Sequence, residues 1–170
     1  SYQEGETFGY LGQPLSLVLE PGSSRTRRPT TQRQEEHLVI TLHRAVALDG
    51  EARRAELRDS VVAFYRQAAH VELPPRVAFY CDQLGLPMPP VTIAHQRRRW
   101  GSCSSRSGLR LNLRLLLCDE ALVDYVVAHE VCHLREMNHG SRFHHLLQGL
   151  IPASRTLSQR LSHESERYRF

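Results

Sequence analysis

The clearest hydrophobic pattern in the chain is the strict alternation from Leu109 to Leu115, where every second residue is leucine. Such alternation predicts a β-strand with one buried face. Its other face would present Arg110, Asn112 and Arg114. A shorter apolar run at residues 91–95 predicts a second strand.

Apolar residues at three- and four-residue steps predict helices in the second and last thirds of the chain. One amphipathic helix is expected over residues 51–70 and another over 75–84. The break at Leu73-Pro74-Pro75 separates them, because proline cannot donate a helical hydrogen bond. Three more helices are predicted, at residues 119–137, 142–151 and 154–167.

The first 50 residues have the composition of a small antiparallel meander. Apolar runs predict strands at residues 15–19, 37–42 and 45–48. The polar segment 25–36 between the first two is expected to be a loop. We therefore predict one domain over residues 1–170: a β-rich part (1–50), a helical part (51–86), a central part (91–150) and a C-terminal helix (153–170).

Composition and charge add few constraints. The chain has 170 residues, of which 41% are hydrophobic and 24% charged, as in ordinary soluble domains. No apolar run reaches the length of a membrane span and no signal segment follows Ser1, so a cytoplasmic protein without a membrane partner is expected. The four cysteines match no disulfide framework. All 22 basic residues are arginine, but a net charge of +4 does not by itself indicate nucleic acid.

The helix predicted from residue 119 carries the sequence His129-Glu130-Val131-Cys132-His133, an H-E-x-x-H motif. Residues four apart share one face of a helix, so the two histidines are placed to bind one Zn²⁺. The helix is apolar over most of its circumference before the motif, which predicts that it is buried. Buried ionisable residues need partners, and a metal ion would supply one.

A catalytic zinc ion usually has three protein ligands, so one more is required. His139 is favoured, because a turn at Asn138 can return its ring to the helix and because metzincins have the same ten-residue offset between histidines. A structural site that includes Cys132 is disfavoured, because no second cysteine pair lies nearby. The rival third ligands are Glu136, His144, His145, Glu164 and Glu166.

Such a site predicts hydrolysis of peptide bonds. Zinc lowers the pKa of its bound water, and Glu130 would act as general base and pass the proton to the leaving amine. If the strand from Leu109 to Leu115 forms the rim of the cleft, its edge can bind an extended peptide. Asn112, Arg110 and Trp100 are the predicted substrate-binding residues.

Several short motifs in order carry a resemblance to a known family. They are Arg99-Trp100-Gly101-Ser102-Cys103-Ser104, Leu111-Asn112, Asp124-Tyr125-Val126-Val127, the H-E-x-x-H motif with Leu134, and Asn138-His139. Together they resemble the YgjP-like metallopeptidase domain, which is related to SprT-like and minigluzincin metalloproteases. The match covers roughly residues 91–147, with Gly140 and His144 departing from the family's usual serine and tryptophan.

The resemblance implies an α+β, zincin-like fold in which a small antiparallel or mixed sheet packs against an active-site helix. It also implies that His129, His133 and His139 bind one Zn²⁺ and that Glu130 is the catalytic base. A protein or peptide is the substrate expected from it.

Three alternatives remain open from the sequence. The first is a SprT-like protease that acts on DNA-associated proteins, in which the Arg97-Arg98-Arg99 cluster and Trp100 would contact nucleic acid. The second is a metal-dependent nucleotide hydrolase, in which Arg110, Arg114 and Arg142 would hold phosphates. The third is a zinc module without catalytic activity.

Overall fold

The computed structural model describes residues 2–23, 25–42 and 50–170. The strand predicted at residues 45–48 lies outside these ranges. The described elements are β1 (Thr7–Tyr10), β2 (Gln13–Glu20), β3 (Thr30–Gln34), β4 (His37–Thr41), α1 (Glu51–Gln83), β5 (Val91–Ala94), β6 (Gly101–Ser104), β7 (Gly108–Asn112), α2 (Glu120–Cys132), α3 (Ser141–Leu150) and α4 (Ser154–Glu164), with 3₁₀ helices at Leu113–Leu117 and Ser165–Arg167.

The N-terminal strands form a four-stranded sheet in the order β1-β2-β4-β3. The predicted antiparallel meander is wrong, because β2 and β4 pair in parallel. β3 occupies the segment predicted to be a loop. Within the described part of the chain it pairs with β4 alone, and its side chains are almost all exposed. An edge strand of this kind has no buried apolar face and therefore no hydrophobic pattern by which to predict it.

α1 is a single 33-residue helix, so the predicted break at Pro74 and Pro75 is wrong. Buried residues recur every four positions from Leu57 to Cys81, and this stripe continues past the prolines. The carbonyl groups that lose a helical N–H donor belong to His70 and Val71, which are exposed and can bond water. Packing of the stripe therefore offsets the cost of the two prolines.

Replacing Pro75 by alanine is expected to raise the free energy of unfolding by about 1–2 kcal/mol. The change restores a hydrogen bond within α1, and the gain is reduced by the greater freedom of the unfolded chain. Urea unfolding measures the effect, with Pro87→Ala in the following loop as the matched control. An unchanged or lower stability for Pro75→Ala would show that the helix is not limited by this proline.

A three-stranded sheet in the order β5-β7-β6 lies beside α2. The strand predicted to reach Leu115 ends at Asn112, whose side chain accepts a hydrogen bond from the N–H of Arg114 and so begins a 3₁₀ helix. β6 begins directly after Trp100, and its residues are small or polar and have no apolar alternation. It is held by antiparallel pairing with β7.

α2 is the central element, and nine of its thirteen residues are buried. Asp119 caps its first turn, and Arg160 of α4 forms an ion pair with the same carboxylate. Arg76 of α1 binds Asp124 at 2.7 Å. Buried side chains of both sheets and all four helices form one hydrophobic cluster around α2.

No helix within the described ranges combines the length and the hydrophobicity that crossing a lipid bilayer requires.

Candidate metal centre

The side chains of His129, His133 and His139 converge on one point at the end of α2. The Nε2 atom of His133 lies 3.3 Å from that of His129 and 2.9 Å from that of His139. The third separation, between His139 and His129, is 3.2 Å. These three ligand atoms form the one group of histidine, cysteine or carboxylate side chains in the described ranges with the spacing of a metal site.

Local turns bring the third histidine back to the helix. α2 ends at Cys132, earlier than the predicted end near Met137, and the chain then turns through N–H groups that bond the carbonyls of Val131 and Cys132. The Nδ1 atom of His133 lies 3.0 Å from the carbonyl oxygen of Glu136. A proton on Nδ1 donates to this carbonyl and leaves the lone pair on Nε2, which is the atom facing the other two rings.

Phe143 of α3 forms the wall behind the three histidines and is fully buried. Its ring stacks on that of His133 with centroids 4.5 Å apart, and it meets His129 and His139 edge-on at 4.9 Å each. The ring therefore fixes the orientations of all three imidazoles and keeps solvent from their inner side.

The electrostatic environment favours neutral imidazoles. Burial, followed by the neighbouring His133 and His139, lowers the pKa of His129 to about 4. Burial also lowers the pKa of His133. A neutral imidazole has a free lone pair, which is the form that binds a metal ion.

The residues present fit a zinc ion. Tetrahedral ligands at ~2.0–2.1 Å from zinc lie ~3.3 Å from one another, and the Nε2 separations are close to this value. Two of the rival carboxylates are engaged elsewhere, because Glu164 binds Arg160 and Tyr168 and Glu166 binds Arg169. The other rivals, Glu136, His144 and His145, do not belong to the group of converging ligand atoms.

Glu130 lies against β6 and is 7% exposed. Burial raises the pKa of its carboxyl group to about 7. Gly101 makes this contact possible, because a Cβ atom at that position would lie 2.8 Å from Cγ of Glu130. The glycine of the Trp-Gly-Ser motif thus leaves room for the glutamate that follows the first histidine.

The three predicted substrate-binding residues differ in their exposure to solvent. Arg110 is exposed and Trp100 half-buried, but Asn112 is 2% exposed. The Asn112 amide donates to the carbonyls of Gln96 and Arg99 at 2.7 and 2.8 Å, so it holds the preceding loop.

Arg114, expected on the same solvent face, is 5% exposed. Its guanidinium donates to the carbonyl oxygens of Gln96, Arg97, Ser165 and Tyr168. The alternating pattern therefore gave the wrong environment for Asn112 and Arg114, because distant backbone carbonyls satisfy both side chains.

Among the described residues, the unpaired edge near the metal centre belongs to β6, whereas β7, the strand predicted to form the rim, is central. The N–H of Asn112 bonds the carbonyl of Trp100, which makes Gly101 and Leu111 a non-hydrogen-bonded pair. By the alternation of an antiparallel ladder, the N–H and C=O groups of Gly101 and Cys103 point away from β7. They form an edge to which an extended chain can add.

Sequence reasoning did not assign a site role to Gly101, Tyr125 or Phe143. Tyr125 lies one helical turn before His129, and the two ring centroids are 6.0 Å apart. The four-residue spacing of Tyr125 and His129 was a usable signal. The contact of Phe143 with all three histidines depends on the turn between α2 and α3.

Comparisons with known proteins agree with this geometry. The crystal structure of the metallopeptidase zymogen of Methanocaldococcus jannaschii, jannalysin, is similar to this chain with 21% identity and a TM-score of 0.50. The likeness covers 55% of this chain and 96% of that one, and it supports the α+β fold. A search of curated proteins finds no match.

The family comparison covers almost the whole chain. The sequence model of the YgjP-like metallopeptidase domain matches residues 1–164, which confirms the resemblance found in residues 91–147 and extends it to the N-terminal sheet and α1. The chain therefore belongs to the YgjP-like metallopeptidase domain family.

Proposed function

We propose that this protein is a zinc-dependent peptidase that hydrolyses peptide bonds in protein or peptide substrates. His129, His133 and His139 hold one Zn²⁺, and Glu130 is the general base. The convergence of three Nε2 atoms within 3.3 Å, with a buried glutamate at the helix position after His129, is the observation that carries the proposal. Membership of a metallopeptidase family supports the same assignment.

A zinc ion held by the three histidines would supply a Lewis acid that polarises a carbonyl group and lowers the pKa of water. Glu130 accepts a proton from the attacking water and delivers it to the leaving amine. The carboxylate of Glu130 can accept a proton and, once protonated, return it, so one side chain serves both steps. Gly101 keeps the carboxyl group in place by close contact.

The substrate lies along the free edge of β6. Backbone groups of Gly101 and Cys103 pair with an extended peptide and hold it above Glu130, which lies against the same strand. Asn112 and Arg114 do not contact the substrate in this arrangement. They fix the loop that precedes β6 through the carbonyls of residues 96, 97 and 99.

The proposal can be tested with purified protein. Its zinc content is measured, and it is then incubated with casein and, in parallel, with nucleoside triphosphates. We expect about one zinc ion per chain, casein fragments and no phosphate release. A chelator should stop casein cleavage and added zinc should restore it. Phosphate release without casein cleavage would instead support a nucleotide hydrolase.

A further inference from the structure

A concave pocket of about 800 Å³ opens beside the metal centre. The loop before β6 forms one wall with Arg97, Arg98 and Trp100, and α4 with the C-terminal segment forms the other, which includes Arg169. Tyr125 of α2 also lines the pocket and meets the ring of His129. We call this feature the arginine pocket.

The arginine pocket has an excess of positive charge. Its lining contains four arginines and one glutamate, Glu166, which pairs with Arg169. In residues 2–23, 25–42 and 50–170, neither Arg97 nor Arg98 forms an ion pair. Their guanidinium groups are exposed and have no carboxylate partner there.

Arg114 adds a buried charge of the same sign. All of its hydrogen-bond acceptors are neutral carbonyl oxygens, and no carboxylate of the described ranges lies within ion-pair distance. A buried guanidinium without a counter-ion raises the positive potential of the cavity it lines, because little water screens it. An anion in the pocket would therefore be favoured by Arg97, Arg98 and Arg114, the three arginines of its lining that have no carboxylate within ion-pair distance among the described residues.

The same side chain fixes the pocket's shape. Arg114 donates to Arg97 on one wall at 3.0 Å and to Ser165 and Tyr168 on the other at 3.2 and 2.5 Å. Its guanidinium lies 4.6 Å from the centroid of the Trp100 ring. The two walls are thus joined through one residue, and the pocket is a fixed part of the fold.

The pocket lies towards the part of the substrate that follows the scissile bond. A peptide added antiparallel to β6 runs with its C-terminal end towards Gly101 and hence towards Trp100. Tyr125 and His129 are four residues apart on α2, about 6 Å along the helix axis. An extended peptide advances about 3.3 Å per residue, so the first to third residues after the scissile bond reach the pocket.

We propose that the arginine pocket is a subsite that binds a carboxylate located one to three residues after the scissile bond. The carboxylate is either the C-terminus of a short peptide or the side chain of an aspartate or glutamate. This inference rests on the proposed peptidase function. It makes the enzyme selective for acidic sequences or for peptide ends.

The geometry favours a peptide carboxylate over nucleic acid. The two unpaired arginines of the loop line one concave pocket next to the metal centre. The Trp100 ring contacts the Arg114 guanidinium and meets Tyr168 edge-on, with centroids 6.1 Å apart, so it is not free to act as a stacking platform for a base.

Matched peptides test the proposal. A casein digest analysed by mass spectrometry first gives a cleaved sequence, which is then synthesised with a free C-terminus two residues after the cut, with the same end amidated, and as an amidated peptide with glutamate in that region. We expect kcat/KM to be about tenfold higher for one or both carboxylate peptides than for the neutral one, because charge-assisted bonds to arginine are strong. The peptide that gains identifies the source of the carboxylate.

The double variant Arg97→Gln/Arg98→Gln should remove this preference through KM and leave cleavage of the neutral peptide unchanged. Both side chains are exposed, so folding is expected to be unaffected. Arg106→Gln, in the turn at the other end of β6, is the control because it removes an exposed arginine charge outside the pocket.

Three outcomes would overturn the subsite and leave the peptidase function standing: equal rates for charged and neutral peptides, a preference that survives the double variant, or an equal loss in Arg106→Gln. Salt-sensitive binding of a DNA duplex that the double variant abolishes, without any change in peptide preference, would assign the arginines to nucleic acid instead. Absence of casein cleavage by the zinc-loaded wild type would contradict the peptidase function itself.

Discussion

Replacing Glu130 by glutamine is expected to lower kcat/KM for peptide cleavage by about 10³-fold, the contribution of a well-placed general base. Glutamine has nearly the same shape, so it fits against Gly101, but its amide cannot accept the proton. Zinc content should remain at that of the wild type, because the three histidine nitrogen atoms are unchanged. The variant should also be at least as stable as the wild type, since a neutral amide removes the cost of burying a carboxylate.

Three measurements check this prediction: peptide cleavage, zinc content and urea unfolding. Glu36→Gln, at an exposed position between β3 and β4, is the control for the same chemical change. Full activity in Glu130→Gln would place the base elsewhere. Loss of zinc in this variant would make Glu130 a ligand.

The same variant separates the peptidase from a zinc module without activity. In such a module, Glu130→Gln would change nothing measurable, whereas His129→Ala would unfold the domain, because zinc binding would then be needed only for stability. A folded Glu130→Gln protein that retains zinc and has lost cleavage excludes the module.

The metal centre shows how far local patterns reach. The four-residue spacing of His129 and His133 on a helix is a local property, so their convergence could be predicted from sequence. The position of the His139 ring beside the other two depends on where α2 ends. The apolar residues after the motif predict that α2 continues to Met137. The helix ends earlier, at Cys132, and the turn that follows includes a contact between a ring and a backbone carbonyl that no periodicity reveals.

The helices and strands show the same division. The stripe of apolar residues in α1 predicts a helix on both sides of the two prolines. The prolines by themselves predict a break between two helices, but burial of the stripe offsets their cost. β3 and β6 were missed as strands because neither has alternating apolar residues. Their neighbours β4 and β7 supply the pairing, and this is a tertiary property of the chain.

Burial of Arg114 was beyond the reach of the alternating pattern. A charged residue at an alternating position normally faces water. Arg114 would do so too if no carbonyl oxygens accepted hydrogen bonds from its guanidinium. Those acceptors come from residues 96–97 and 165–168, which are distant in sequence and meet only in the folded chain. The residue that joins the two walls of the arginine pocket was therefore predicted as a surface residue.

For Asn112, the role predicted from the sequence and the role found in the structure predict different effects of mutation. As a substrate-binding residue, it would contribute to KM and little to stability. As the residue that holds the loop before β6, it contributes to the fold, because its side chain makes three hydrogen bonds at 2% exposure. We expect Asn112→Ala to lower the free energy of unfolding by about 3 kcal/mol, since buried partners left without a hydrogen bond cost about 1–3 kcal/mol each and solvent reaches some of them.

Loss of these bonds should also release the loop that carries Arg97, Arg98 and Arg99, which are trypsin cleavage sites. Limited trypsin digestion of Asn112→Ala is therefore expected to cut at these positions before any other, whereas the wild type should resist there. Arg110→Gln, an exposed position on the same strand, serves as a comparison because it leaves the loop bonds intact. A stable, trypsin-resistant Asn112→Ala protein with raised KM would show that Asn112 binds the substrate. Instability with early cleavage at the loop would establish that the side chain acts on β6 and the arginine pocket through the loop it holds.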